Sequence, residues 1–217
     1  GHAMSEGVQA AQTAINEANI PSELSAKVAG DYEDQQDMFV DLITLMVLIV
    51  ILVYMVMASQ FESFMSPFVI MFSVPFALVG VIFGLWLTNT ALGVMAMIGL
   101  LILIGIVVKN GIVLIDYLIL CRERGMNILD AAVTAARSRL RPILMTTLTT
   151  VLGMIPMAIG TGEGSEMWRS LGVTVAWGLS VSTVVTLVLI PTIYCVFATR
   201  QEKHKQKKLA RQAAING

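Results

Sequence analysis

The chain has 217 residues, 56% of them hydrophobic and only 13% charged, with 14 Lys and Arg against 15 Asp and Glu. At a mean hydropathy of +0.79 the apolar residues gather into spans rather than stripes. That pattern excludes an ordinary soluble domain and leaves an all-α integral membrane protein.

Five runs reach the about 18 residues needed to cross a hydrocarbon core of about 30 Å. They are residues 42–59, 67–88, 92–120, 142–160 and 171–197, in a transmembrane bundle over 37–199. Ahead of them, Gly1-His2-Ala3-Met4 reads as an expression-tag scar and is set aside. No signal peptide precedes the first run, which follows about forty polar residues, as expected of a piece cut from a longer polypeptide. Within 5–36, Val8, Ala11, Ile15 and Ala18 share a weak helical face that stops at Pro21. This stretch is too short for a domain and reads as the trailing edge of an extramembrane one. The acidic run Asp31 to Asp41 then leads into the first span.

The second span contains Pro75, which removes one helix hydrogen bond and predicts a kink near it. It also holds Gly80 and Gly84, a small-xxx-small pair, and the fifth span repeats the device at Thr174, Gly178, Ser182 and Thr186. Such stripes predict seams where helices approach closely.

The third span carries Lys109, roughly 26 Å from Leu92 and roughly 20 Å from Arg122 at about 1.5 Å of rise per residue. A charge near a bilayer centre costs at least about 2.5 to 3.5 kcal/mol, so it marks an ion or proton pathway and calls for a partner. The alternative is a lysine that snorkels to headgroups or pairs idly with a backbone carbonyl.

Between the third and fourth spans, Asn127 can cap a helix on which Leu129, Val133, Ala136 and Leu140 align while Arg137 and Arg141 face water or headgroups. We read 125–140 as a short interfacial cytoplasmic helix, either a stiff connector or a docking element. Pro142 then opens the fourth span at a helix start. Residues 200–217 form a basic tail.

Arg122, Arg124, Arg137, Arg139 and Arg141 before the fourth span, and Arg200, Lys203, Lys205, Lys207, Lys208 and Arg211 in the tail, put both segments in the cytoplasm by the positive-inside rule. The acidic N-terminal segment lies outside. The tail is a topology signal and an anionic-lipid contact rather than a nucleic-acid site. Cys121 and Cys195 carry no metal spacing.

Gly105, Lys109 and Asp116 share roughly one face of the third span, although Lys109 and Asp116 are about 10 Å apart along the axis, too far for a direct pair. Asp116 either joins the pathway or is simply solvated near the cytoplasmic end. On the fourth span Thr146, Thr150 and Gly153 share a face, with Arg139 seven residues before Thr146. The chain offers no carboxylate at the depth of Lys109, so a functional partner must come from other polypeptide.

Three motifs make the chain resemble a known family. They are Tyr54-Met55-Val56-Met57-Ala58-Ser59-Gln60-Phe61-Glu62-Ser63, then Gly105-Ile106-Val107-Val108-Lys109-Asn110-Gly111, and then Arg139-Leu140-Arg141-Pro142-Ile143-Leu144-Met145-Thr146-Thr147. In this order they resemble the C-terminal membrane half of resistance-nodulation-cell division efflux pumps, nearest the AcrB-like hydrophobe and amphiphile branch.

The resemblance covers residues 31–197. It implies spans eight to twelve of a twelve-span, proton-driven transporter of the bacterial inner membrane, with 5–36 a remnant of a periplasmic porter domain. It further implies a missing N-terminal half, a homotrimer, a periplasmic adaptor, an outer-membrane channel and amphiphilic small-molecule substrates. In the family, paired aspartates of the first half face the lysine matching Lys109, and the relay arginine and threonine match Arg139 and Thr146. Asn110 follows the lysine as it does in this branch, and Thr150 and Asp116 stand as secondary members. Heavy-metal members usually lack this lysine, so the resemblance favours amphiphiles over metal ions. Gly111 departs from the alanine of many drug pumps, a small-for-small exchange.

Two other readings stay open: a structural helix-packing module, and a lipid, metal or protein exporter of the same superfamily. An enzyme is not expected, because no nucleophile, base or phosphate loop is assembled. His2 and His204 lie in the scar and the tail, and Gly160-Thr161-Gly162-Glu163-Gly164 lacks the lysine of a phosphate loop. No cofactor or metal is expected; the energy source would be a proton gradient.

Overall fold

In the computed structural model the described residues are 10, 13–15, 17, 31–160, 162 and 164–215, with side chains described except at 31–36, 166 and 201–215. The tag scar, and Val8, Ala11, Ala18 and Pro21 of the N-terminal stretch, lie outside the described residues.

Two compact units divide the chain, residues 1–48 and 49–217. In the first, Ala10, Thr13 to Ile15 and Glu17 are helical. Helix α1 (Asp31–Gln60) begins there and runs on into the second. The Thr44 hydroxyl donates to the Val40 carbonyl at 2.9 Å, which satisfies it within the helix. The second unit adds α2 (Met65–Met71), α3 (Ser73–Leu87), α4 (Val94–Glu123), α5 (Ile128–Ile159) and α6 (Ser165–Ile215). No strand occurs among the described residues.

Among the described residues five helical stretches are long and apolar enough to cross a membrane: Asp37–Gln60, Met65–Leu87, Val94–Glu123, Ile128–Ile159 and Met167–Arg200. The five predicted runs fall inside these stretches or overrun them by one or two residues. The physical reason is general: hydrocarbon offers backbone groups no partner, so every spanning segment must satisfy its own.

The kink expected near Pro75 is a break at Phe72, where α2 ends and α3 begins. Proline has no N–H and its ring crowds the carbonyl four residues earlier, here that of Met71. Beside the break the buried Ser73 hydroxyl donates to the Ile70 carbonyl at 2.6 Å.

Helix α4 stops where Gly125 adopts φ +87°, a left-handed conformation that glycine enters without strain. Gly125 N–H then donates to the Arg122 carbonyl at 2.9 Å and Met126 N–H to the Cys121 carbonyl at 3.3 Å. This paired closure satisfies helix-end carbonyls, and the short link makes α5 return antiparallel to α4.

The short interfacial helix expected over 125–140 is corrected. A single helix runs from Ile128 to Ile159, with Pro142 and Pro156 inside it, so Pro142 marks no start. Asn127 holds the N-cap position but makes no side-chain capping bond. The buried face of the early turns is Ala131, Ala132 and Ala135, while Leu129, Val133 and Leu140 are exposed. At its first residue, the Ile128 carbonyl accepts a contact from Cys195 Sγ at 3.9 Å. Burial of these alanines holds the early turns to the bundle, and a proline removes only one donor from a helix so held.

Helix α6 packs against α2, α3, α4 and α5, and glycines set the closest approaches. A Cβ on Gly80 would come within 2.7 Å of Val181 Cβ, and one on Gly84 would overlap Trp177. One on Gly178 would overlap Leu103 and come within 2.7 Å of Val81 Cγ2. Ser182 is buried and donates to the Leu179 carbonyl at 3.1 Å. Gly105 differs: no atom lies within 4 Å of its would-be Cβ. Among the described residues this face of the helix is open.

Candidate functional site

Helix α4 has two unlike faces. Leu103, Val107, Gly111, Leu114 and Leu118 are buried, whereas Gly105, Lys109 and Asp116 are exposed among the described residues. Lys109 lies fifteen residues from Val94 and fourteen from Glu123, so about 21 Å separates it from either end. No hydrogen bond or ion pair joins it to another described residue. Asn110 is half-buried beside it.

The fourth-span residues sit on α5. Thr146 is exposed and its hydroxyl donates to the Ile143 carbonyl at 2.9 Å and the Pro142 carbonyl at 3.3 Å. Thr150 donates to the Thr146 carbonyl at 2.9 Å. Both hydroxyls are thus turned back onto their own helix, and neither is bonded to Lys109.

Arg139 is held differently. Its guanidinium carbon stands 4.7 Å from the centroid of the Tyr117 ring on α4, a cation–π contact. Its Nε is buried with no hydrogen-bond partner. The contact fixes the register of the two antiparallel helices. Eight residues back from Tyr117 is Lys109, and eight on from Arg139 is Thr147. Lys109, Thr146 and Thr147 therefore stand at one depth.

Sequence reasoning missed two of these residues. Tyr117 follows Asp116 directly, but nothing in the pattern says that its ring reaches α5. Thr147 carries the interhelical bond, its hydroxyl 3.0 Å from that of Thr183 on α6, while its neighbour Thr146 faces out. Adjacent threonines on a helix point about 100° apart, and only packing decides which one is enclosed.

A face bearing an amine, a carboxylate and hydroxyls, backed by a tightly packed wall, can exchange protons and bind opposite charge, but among the described residues no counter-ion pairs with Lys109.

Comparison with known proteins gives this face a context. The family model described as the AcrB/AcrD/AcrF family matches residues 1–198 and so takes in the four residues read as a tag scar. The chain is 38% identical over 195 residues to the swarming motility protein SwrC of Bacillus subtilis, covering 89% of the chain and 18% of that protein. It is 34% identical over 212 residues to the multidrug resistance protein MdtC of Yersinia enterocolitica, covering 97% of the chain and 21% of that protein. Among solved structures it resembles a crystal structure of a heavy metal efflux pump, with a TM-score of 0.76 and 30% identity over 92% of this chain and 20% of that one. The chain spans about a fifth of the length of the relatives it matches.

Proposed function

This chain belongs to the AcrB/AcrD/AcrF family of transporters, and from that premise we propose that it is the second-half membrane bundle of a proton-driven exporter of drugs, detergents and other amphiphiles. Lys109, Asn110, Arg139 and Thr146 form one side of the proton-coupling site, with Asp116 and Thr150 as secondary members. Carboxylates of the first half supply the other side.

One observation carries this reading: a lysine in mid-span lies on an exposed face without a counter-ion among the described residues. Leaving it in hydrocarbon costs at least about 2.5 to 3.5 kcal/mol, whereas a facing carboxylate offsets that cost. Protonating such a carboxylate cancels the attraction and releases the lysine, so proton binding is converted into a shift between helices. The bundle lies in the bacterial inner membrane with its basic tail in the cytoplasm and its N-terminal segment in the periplasm. The intact transporter works as a homotrimer with a periplasmic adaptor and an outer-membrane channel.

The test is Lys109→Met in a full-length transporter carrying this chain. Efflux and resistance should be abolished at normal expression and trimer formation, and retained resistance would refute the assignment.

A second reading, metal-ion export, is favoured by the likeness to the heavy metal efflux pump structure. Cells expressing the full-length transporter separate the two: growth in bile salts and dyes supports the amphiphile reading, growth in silver or copper salts the metal one.

A further inference from the structure

Helix α6 forms the floor of a groove between α5 and α3. Along one strip of α6 run Arg169, Val173, Ala176 and Ser180, residues three or four apart that share a helical face. On one edge of this strip α5 closes in. A Cβ on Gly172 would approach Ala158 N to 2.8 Å, and the Thr147 and Thr183 hydroxyls are 3.0 Å apart. On the other edge α3 closes in through Gly80 on Val181 and Gly84 on Trp177. Between these contacts a cleft of about 560 Å³ remains, walled by Val151 and Ile155 of α5 and by Trp177.

The groove has a chemical direction. Thr88 and the exposed Arg169 line one part of it, and apart from Ser180 the rest of its lining is apolar. Arg169 is the only Lys or Arg between residues 142 and 199. Its Nη2 donates to the Thr88 carbonyl at 3.4 Å, one of the five N–H donors a guanidinium carries. Arg169 to Ser180 is eleven residues, about 16 Å, close to one leaflet of a core about 30 Å thick. Ile159, in its lining, is 66% exposed, so an apolar edge of the groove is open. A cation over a leaflet-deep apolar slot matches a phosphate joined to a hydrocarbon chain.

We propose that this groove binds an anionic phospholipid, with the headgroup phosphate on Arg169 and one acyl chain laid along Val173, Ala176 and Ser180 against Trp177. The site is separate from the Lys109 face and does not rest on the transport reading. The Trp177 ring forms a wall of fixed position, since it packs edge-on against Phe83 at 5.7 Å between centroids and over Gly84.

Trp177 also reports occupancy. The full chain carrying Trp86→Phe and Trp168→Phe, both at exposed positions, retains Trp177 as its single tryptophan. In phosphatidylcholine nanodiscs, phosphatidylglycerol with brominated acyl chains should quench its fluorescence at about one-fifth the mole fraction that brominated phosphatidylcholine requires, the advantage expected of one arginine at an anionic headgroup. Arg169→Gln should abolish that preference. Excess unbrominated phosphatidylglycerol should relieve the quenching without any change to Arg169, so the test survives a variant that fails to fold. Equal quenching by both lipids would mean that ordinary annular lipid wets the groove or that Arg169 is paired within the chain, and would overturn the proposal. Absence of quenching would overturn it too, since the groove would then be filled by polypeptide.

Discussion

The Arg139 guanidinium is held by the Tyr117 ring, 4.7 Å from its centroid, and by no hydrogen bond at its buried Nε. This contact couples the end of α4 that bears Asp116 to the helix that bears Thr146. A cation–π contact contributes about 0.5 to 2 kcal/mol and depends on the ring, not on the hydroxyl. Tyr117→Phe should therefore leave stability and efflux near wild type, whereas Tyr117→Leu should lower stability by about 1 kcal/mol. Arg139→Lys keeps the charge but loses the planar stack, and should resemble Tyr117→Leu in thermal unfolding of the detergent-solubilised protein.

Lys109 predicts opposite signs in two settings. In the isolated chain it has no partner among the described residues, so Lys109→Leu should favour insertion of its span by about 2.5 to 3.5 kcal/mol in a translocon-insertion assay. In the full-length transporter the same substitution should eliminate proton-coupled efflux. An insertion gain of zero would show that the amine already finds a partner in this chain.

The glycines of the apolar helices divide into two classes. Gly178→Ala forces a methyl into Leu103 and Val81 and should cost about 1 to 3 kcal/mol, as overpacking does. Gly105→Ala meets nothing within 4 Å and should leave the isolated chain as stable as before or raise its stability by up to about 1 kcal/mol through helix propensity. Thermal unfolding in detergent of the two single variants, side by side, checks the contrast.

Buried hydroxyls make a third contrast. Thr174 is fully buried and its Oγ1 has no partner, so Thr174→Val removes an unsatisfied group at constant shape and should be neutral or stabilising by about 1 kcal/mol. Thr183→Val breaks the bond to Thr147 and should cost about 0.6 kcal/mol and at most about 1.7, the range for interhelical bonds in membranes. Unfolding of both variants by graded SDS would reverse the order if Thr174 has a partner.

The amino-acid order alone determined the five spans and the depth of Lys109, because both follow from hydropathy and a fixed rise per residue along one helix. It also located the closely packed pairs Gly80 with Gly84 and Gly178 with Ser182, since only small residues allow such an approach. Tertiary structure decided which faces are used. It made Gly105 open and Gly178 closed, enclosed Thr147 and left Thr146 outside, joined Ile128 to Ile159 across Pro142, and brought Tyr117 to Arg139. These choices are invisible in a uniformly apolar helix because lipid is as apolar as leucine. The packed face is therefore selected by shape and by the partner helix, and neither is written in local hydropathy.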